Sequence, residues 1–204
     1  MKIICIGKNY YNHAVEMGSL PPKELLFFLK PETALLRNNE PFYYPEFSKE
    51  IHYEVEIVVR ISKMGKHIEK RFAHRYYEEI GIGIDLTARD IQRIHKEKGW
   101  PWEKPKSFDH SAPVGNRFLP ITMFKNLQNI NFRLEKNGKV VQQGNTKDMI
   151  FDIDFIISYV SKFITLKTGD LIFTGTPEGV GPIDIGDNLQ AYIENELLLD
   201  FEIK

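Results

Sequence analysis

The sequence predicts a mainly β protein, a mixed β roll or sandwich with a few peripheral helices. Three observations predict it. Tyr53, Val55, Ile57, Val59 and Ile61 alternate without a break along one face of the segment 52–61. Asn137-Gly138 separates two strand-like runs, 130–135 and 139–142, as a type I′ hairpin turn would. Glycine and proline punctuate the rest so often that most periodic segments have the length of strands.

Taken in order, residues 3–6 read as a strand ending at Gly7, and 10–17 as a short helix stopped by Gly18 and Pro21-Pro22. The apolar run 25–29 reads as a buried strand ending at Lys30-Pro31. After the alternating strand, 69–79 is expected to be helical and 80–84 a short strand running into Asp85. Thr87 is placed to cap a helix reaching Lys98, with Gly99 as its stop. Phe155, Ile156, Tyr159, Val160 and Phe163 recur at helical spacing, which predicts a core-facing amphipathic helix over 152–163. A strand at 171–174, a glycine-rich loop at 175–186 and strands at 188–193 and 197–203 close the chain.

The 204 residues suit one domain, long enough to bury a full core without disulfides or structural metal. Twenty-seven basic residues face 28 acidic ones. That balance argues against a polyanion binder or a polybasic membrane-surface protein. No apolar run reaches bilayer-spanning length, and the N-terminus lacks the apolar stretch of a signal peptide. The single cysteine, Cys5, sits in an apolar run and reads as a buried hydrophobe rather than a nucleophile. A reducing, cytoplasmic setting is the expectation.

Several residues are candidates for chemistry. Glu54 and Glu56, two apart on a strand, place their carboxylates on one face, either as half of a divalent-metal site or as a solvated edge. Asp85, between a strand and a helix start, is either a ligand or a cap. Arg89 and Gln92 share one helix face, whereas Asp90 lies off it. Lys106 follows a rigid approach through Trp100-Pro101-Trp102 and Pro105, and is either a carboxylate clamp or a solvated loop lysine. His13 and Glu16, three apart, form either a base-and-orienter dyad or a surface pair. The loop 174–181 has no P-loop ending, and the remaining histidines lack zinc spacing.

In sequence order, the chain carries Gly7-Lys8-Asn9-Tyr10 with His13 and Glu16, Phe28-Leu29-Lys30-Pro31, His52-Tyr53-Glu54-Val55-Glu56 and Asp85-Leu86-Thr87-Ala88-Arg89-Asp90 with Gln92. Pro101-Trp102, Lys106-Ser107-Phe108-Asp109, Gln143-Gly144-Asn145-Thr146 and Gly169-Asp170 onward follow. Together these resemble the fumarylacetoacetate hydrolase family, in its acylpyruvase and oxaloacetate decarboxylase subgroup. The resemblance implies one catalytic domain over 1–204 of the family's mixed β-sandwich roll, with a mobile lid at about 8–20, in a homodimer using Mg²⁺ or Mn²⁺. It implies Glu54, Glu56 and Asp85 as metal ligands, His13, Glu16 and Lys106 as catalytic groups, and Arg89, Gln92 and Thr176 around the substrate. The implied activity is C–C bond cleavage of small 2-oxo acids. Isomerisation of hydroxylated dienedioates, or binding of 2-oxo acids without turnover, are the alternatives. Glu32-Thr33 after Lys30-Pro31 departs from the family's usual small residue, which bears on the pocket rim.

Overall fold

The alternating segment lies in the middle of the main sheet. In the computed structural model, which describes residues 1–18 and 20–204, Val55–Ile61 pairs antiparallel with Tyr77–Ile84 on one side and with Leu171–Phe173 on the other. Ile3–Gly7 runs parallel to Leu171–Phe173 and antiparallel to the edge strand Leu26–Lys30. Leu119–Pro120 completes this sheet of six strands. A second sheet orders Lys139–Asn145, Asn131–Lys136, Asn188–Ile193 and Glu196–Glu202. The fold is mainly β, with helices α1 (Tyr11–Glu16), α2 (Arg89–Lys98), α3 (Glu103–Lys106) and α4 (Ile153–Phe163) among the described residues. None of these is long and apolar enough to cross a membrane.

Apart from the exposed Arg60, both faces of Val55–Ile61 are buried, which the alternation alone does not convey. Ile57 and Val59 enter the large core with Phe132, Leu134 and Ile156. Val58, on the opposite face, packs with Ile3, Cys5 and Phe173 in a smaller core. Burial raises the Cys5 thiol well above its ordinary range, in keeping with a structural role. At Glu54 the strand breaks, and Ile51–Tyr53 leaves the main sheet to pair with Thr87–Ala88 and Gly181–Pro182. That break positions the site.

Four sequence expectations change. The strand predicted as buried at 25–29 runs Leu26–Lys30 on a sheet edge, with Leu26 and Leu29 exposed and Lys30 the residue fully inside. The helix expected at 69–79 is a 3₁₀ turn, Lys70–Arg75, followed by a strand from Tyr77. There, pairing with the central strand and the Arg60–Glu79 ion pair outweigh helical propensity. Thr87 does not cap α2: it lies in a short strand, and its hydroxyl donates to the Asp85 carbonyl. α4 is rotated from the expected stripe, burying Ile153, Ile156, Ile157 and Val160, while Phe151, Phe155, Tyr159 and Phe163 form a ladder of ring contacts along its flank. The hairpin holds, with Asn137 and Gly138 at φ 54° and 74° between Asn131–Lys136 and Lys139–Asn145. Asp152 accepts from the Phe155 amide as the N-cap of α4.

Candidate active site

Strand register builds the acidic floor. Val55 faces Ile84 and Glu56 faces Gly83, so the chain leaving Tyr77–Ile84 brings Asp85 beside Glu54, whose carbonyl accepts from the Asp85 amide at 2.8 Å. One carboxylate oxygen from each of Glu54, Glu56 and Asp85 lies within 4.8 Å of the others. All three side chains are buried.

Buried anions at this spacing persist only with cations among them. Lys106 Nζ, delivered by α3, donates to Glu54 Oε2 and Asp85 Oδ2 at 2.7 Å each and to Thr87 Oγ1 at 2.6 Å. Arg89, at the start of α2, donates to Glu54 Oε1 at 2.5 Å and to Gln92 Oε1 at 2.6 Å. Lys30 Nζ lies 2.8 Å from Asp85 Oδ1 and also donates to the Lys106 and Ser111 carbonyls.

These partners are unevenly shared. Burial opposes the charge on Glu54, but Lys106 and Arg89 overcome it and hold that carboxyl well below the usual carboxylate range. Burial likewise opposes the Lys106 charge, and Asp85 and Glu54 overcome it, so its pKa is raised. Among the described residues Glu56 accepts only from the Gly175 amide, at 2.6 Å. Burial and the neighbouring Asp85 charge therefore push its carboxyl well above the ordinary range. Gly175 supplies that amide from φ +101°, and an added Cβ would come within 2.6 Å of Asn9 Cβ, so a side chain is excluded there.

The donor set fits a hard divalent ion. It is all carboxylate oxygen, a lysine ammonium already sits between two of its members as a cation would, and Glu56 lacks a counter-charge. Asp85 Oδ1 has the Lys30 ammonium at 2.8 Å and accepts no other hydrogen bond from a described residue.

α1 lies across the opening. Asn9 braces its approach, donating to the carbonyls of Thr174 at 2.7 Å and Phe151 at 3.0 Å. His13 is buried, with Nδ1 3.3 Å from Glu16 Oε2. The Gly179 amide donates to Glu16 Oε1 at 3.0 Å, and Asn12 to Glu178 at 3.1 Å, fastening α1 to the glycine-rich loop. Burial lowers the His13 pKa, with Glu54 and Glu16 pulling the other way. A proton on Nδ1 facing Glu16 leaves Nε2 as the acceptor. Of the segment 8–20 expected as a lid, residue 19 lies outside the described residues.

One cavity is lined by His13, Glu54, Glu56, Asp85, Arg89, Gln92, Lys106 and Thr176. Glu16 joins them through His13. Thr176 Oγ1 accepts from Gln142 Nε2 at 2.9 Å, and Asp90 is bound away from the site by Ser48 and Lys49. The free space is about 30 Å³, roughly one or two water molecules. Sequence reasoning assigned no site role to Lys30 and Gln142, and read Thr87 only as a helix cap. Lys30 carried a signal, a lysine closing an otherwise apolar strand; Gln142 carried none.

Residues 2–202 match the model of the fumarylacetoacetate (FAA) hydrolase C-terminal family. The chain is 41% identical over 202 residues to the mitochondrial oxaloacetate tautomerase FAHD1 of Bos taurus, covering 99% of this chain and 91% of that protein. It is 42% identical over 198 residues to oxaloacetate tautomerase YcgM of Escherichia coli (strain K12), covering 97% and 90%. Among solved structures, fumarylpyruvate hydrolase from Pseudomonas aeruginosa in complex with Mn²⁺ and pyruvate matches with a TM-score of 0.93 at 34% identity, covering 100% of this chain and 89% of that one.

Proposed function

We propose that this chain, which belongs to the fumarylacetoacetate hydrolase family, is a metal-dependent enzyme that acts on small 2-oxo acids through their enolates. Oxaloacetate and acylpyruvates are its substrate class. The observation that carries this reading is the buried carboxylate triad with Lys106 wedged between two of its members and Glu56 uncompensated. The names of the two tautomerases and the Mn²⁺–pyruvate complex of the hydrolase support it.

Glu54, Glu56 and Asp85 would hold Mg²⁺ or Mn²⁺. When bound, such an ion supplies Lewis-acid polarisation of the 2-oxo group. Arg89 and Gln92 present donors to the substrate's carboxylate, and Lys106 places positive charge where an enolate oxygen develops. His13 Nε2, oriented through Glu16, takes a proton from C3 and returns it to the enolate oxygen, giving keto–enol interconversion. With an acylpyruvate the same nitrogen deprotonates a water that attacks the distal carbonyl. The C3–C4 bond then breaks with its electron pair left on the pyruvate enolate, so cleavage and tautomerisation share one intermediate. Closure of α1 keeps bulk water from that anion.

The test is turnover of oxaloacetate, acetylpyruvate and fumarylpyruvate by protein loaded with Mn²⁺ or Mg²⁺. Loss of the enol absorbance and appearance of pyruvate separate tautomerisation from cleavage. Metal and acid binding with no turnover of any of the three would make the chain a 2-oxo-acid binding protein instead. Turnover confined to hydroxylated dienedioates would make it an isomerase.

A further inference from the structure

The cations on the floor of the cavity are committed to carboxylates, but two further lysines line the same cavity with no such commitment. Lys8 and Lys96 both border it, and neither ammonium makes an ion pair or hydrogen bond with any described residue. Lys8 is half-buried and Lys96 exposed, whereas the triad is buried, so the two lysines stand at the mouth. Among the described residues, the only acids lining the cavity are the three on the floor. No acid among the described residues pairs directly with either ammonium.

Two local features fix the lysines there. Lys96 lies seven residues after Arg89 and four after Gln92 on α2, so the three share one helical face leading outward from Glu54. Gln92 and Lys96 are separated by roughly 6 Å along the helix axis, comparable with the span of a short dicarboxylic acid. Lys8, between the strand Ile3–Gly7 and α1, holds φ +58°. That is left-handed backbone at a residue that is not glycine, the kind of local strain that accompanies functional positioning. Burial lowers the Lys96 pKa, the like charges of Arg89 and Lys8 lower it further, and Glu54 pulls the other way.

We infer that Lys8 and Lys96 form an anion subsite for the distal carboxylate of a dicarboxylic 2-oxo acid. This rests on the function proposed above and narrows its substrate class. The 2-oxo end of the acid meets Arg89, Gln92 and Lys106, and the far carboxylate meets the two mouth lysines. A carboxylate held by two ammonium groups loses that stabilisation if it leaves as neutral CO₂. On oxaloacetate the grip therefore favours proton transfer at C3 over decarboxylation.

The experiment compares oxaloacetate with acetylpyruvate, which has a neutral methyl ketone at its far end, on Mn²⁺-loaded wild type, Lys96→Gln and Lys8→Asn. Asparagine tolerates the left-handed backbone at position 8. Each acid is measured as a substrate by kcat/KM and by calorimetric binding. The expected result is a fall of about tenfold per lysine in the preference for oxaloacetate over acetylpyruvate, accompanied by a higher ratio of decarboxylation to tautomerisation. Equal losses for both acids, or an unchanged preference, would overturn the subsite. If Lys8→Asn melts early, Lys96→Gln, on an exposed helix end, decides alone. Failure of wild type to turn over either acid would remove the proposed function, while calorimetry would still report on the subsite.

Discussion

The floor and the lid of this cavity are built on opposite principles. The floor is three carboxylates, Glu56 on the central strand, Glu54 at the break before it and Asp85 just past its neighbour, buried and laced by Lys106, Arg89 and Lys30. The lid is a helix of six residues fastened by a few contacts at its exposed side, Glu16 to the Gly179 amide and Asn12 to Glu178. Charge that must stay in place is stored in the sheet, where every displacement would unpair a buried ion. The proposed proton-transferring group, His13, is carried on a short helix held to the glycine-rich loop by solvent-exposed hydrogen bonds. Rigidity and access are thus divided between two elements meeting at one cavity.

Substitutions on the two sides separate them. The largest effect is expected from Asp85→Ala, which removes a proposed ligand and the partner of both Lys30 and Lys106. Activity should fall by about three orders of magnitude or more, since Lewis-acid stabilisation contributes several kcal/mol. Mn²⁺ affinity should fall beyond the roughly 10–100-fold that outer-sphere changes cost, and calorimetric titration checks it. Next comes His13→Gln, expected to cost about 10²-fold or more in turnover while leaving Mn²⁺ affinity within about twofold. A comparable loss of metal affinity would merge lid and floor into one unit.

The same histidine sets a pH expectation. Its folded pKa lies below 6.5, so the neutral base persists below pH 6.5, and the acid limb of kcat/KM lies under that value and disappears in His13→Gln. The sign for stability agrees. The unfolded chain takes up the His13 proton first as pH falls, so this group's contribution is present above pH 6.5 and declines below it.

Smaller effects test each side alone. Glu56→Gln removes a buried, uncompensated carboxyl, so the metal-free variant should melt about 2–4 °C above metal-free wild type, the equivalent of about 1 kcal/mol at this chain length. Calorimetric melting checks that, and a lower Tm would mean that Glu56 already has its counter-charge. Asn12→Ala breaks one exposed latch and is expected to change turnover by about twofold, with no change in metal affinity.

Much of this arrangement was legible in the sequence. The i, i+2 spacing of Glu54 and Glu56 and the strand-end position of Asp85 pointed to one face and one site. The resemblance brought His13, Glu16, Lys106 and Thr176 to the same place. What the sequence did not reveal was depth. Val58 and Lys30 show why: a second apolar face and a lysine anchored by carbonyls are both set by elements far along the chain. The strand at Tyr77 and the rotation of α4 were missed for a related reason, since cross-strand partners and packing surfaces decide them rather than local spacing. Lys8 and Lys96 became informative only once the charges around them could be paired off.

The central claim is that the Glu54–Glu56–Asp85 cluster holds a divalent ion the enzyme needs. Titrating Mn²⁺ into chelator-stripped protein, with free ion followed by electron paramagnetic resonance and oxaloacetate turnover read from the same samples, tests it most directly. One bound ion per chain is expected, with turnover rising in proportion to bound ion and both lost in a Glu54→Ala, Glu56→Ala variant that remains folded. Full turnover in stripped protein, or unaltered Mn²⁺ binding by that variant, would contradict it.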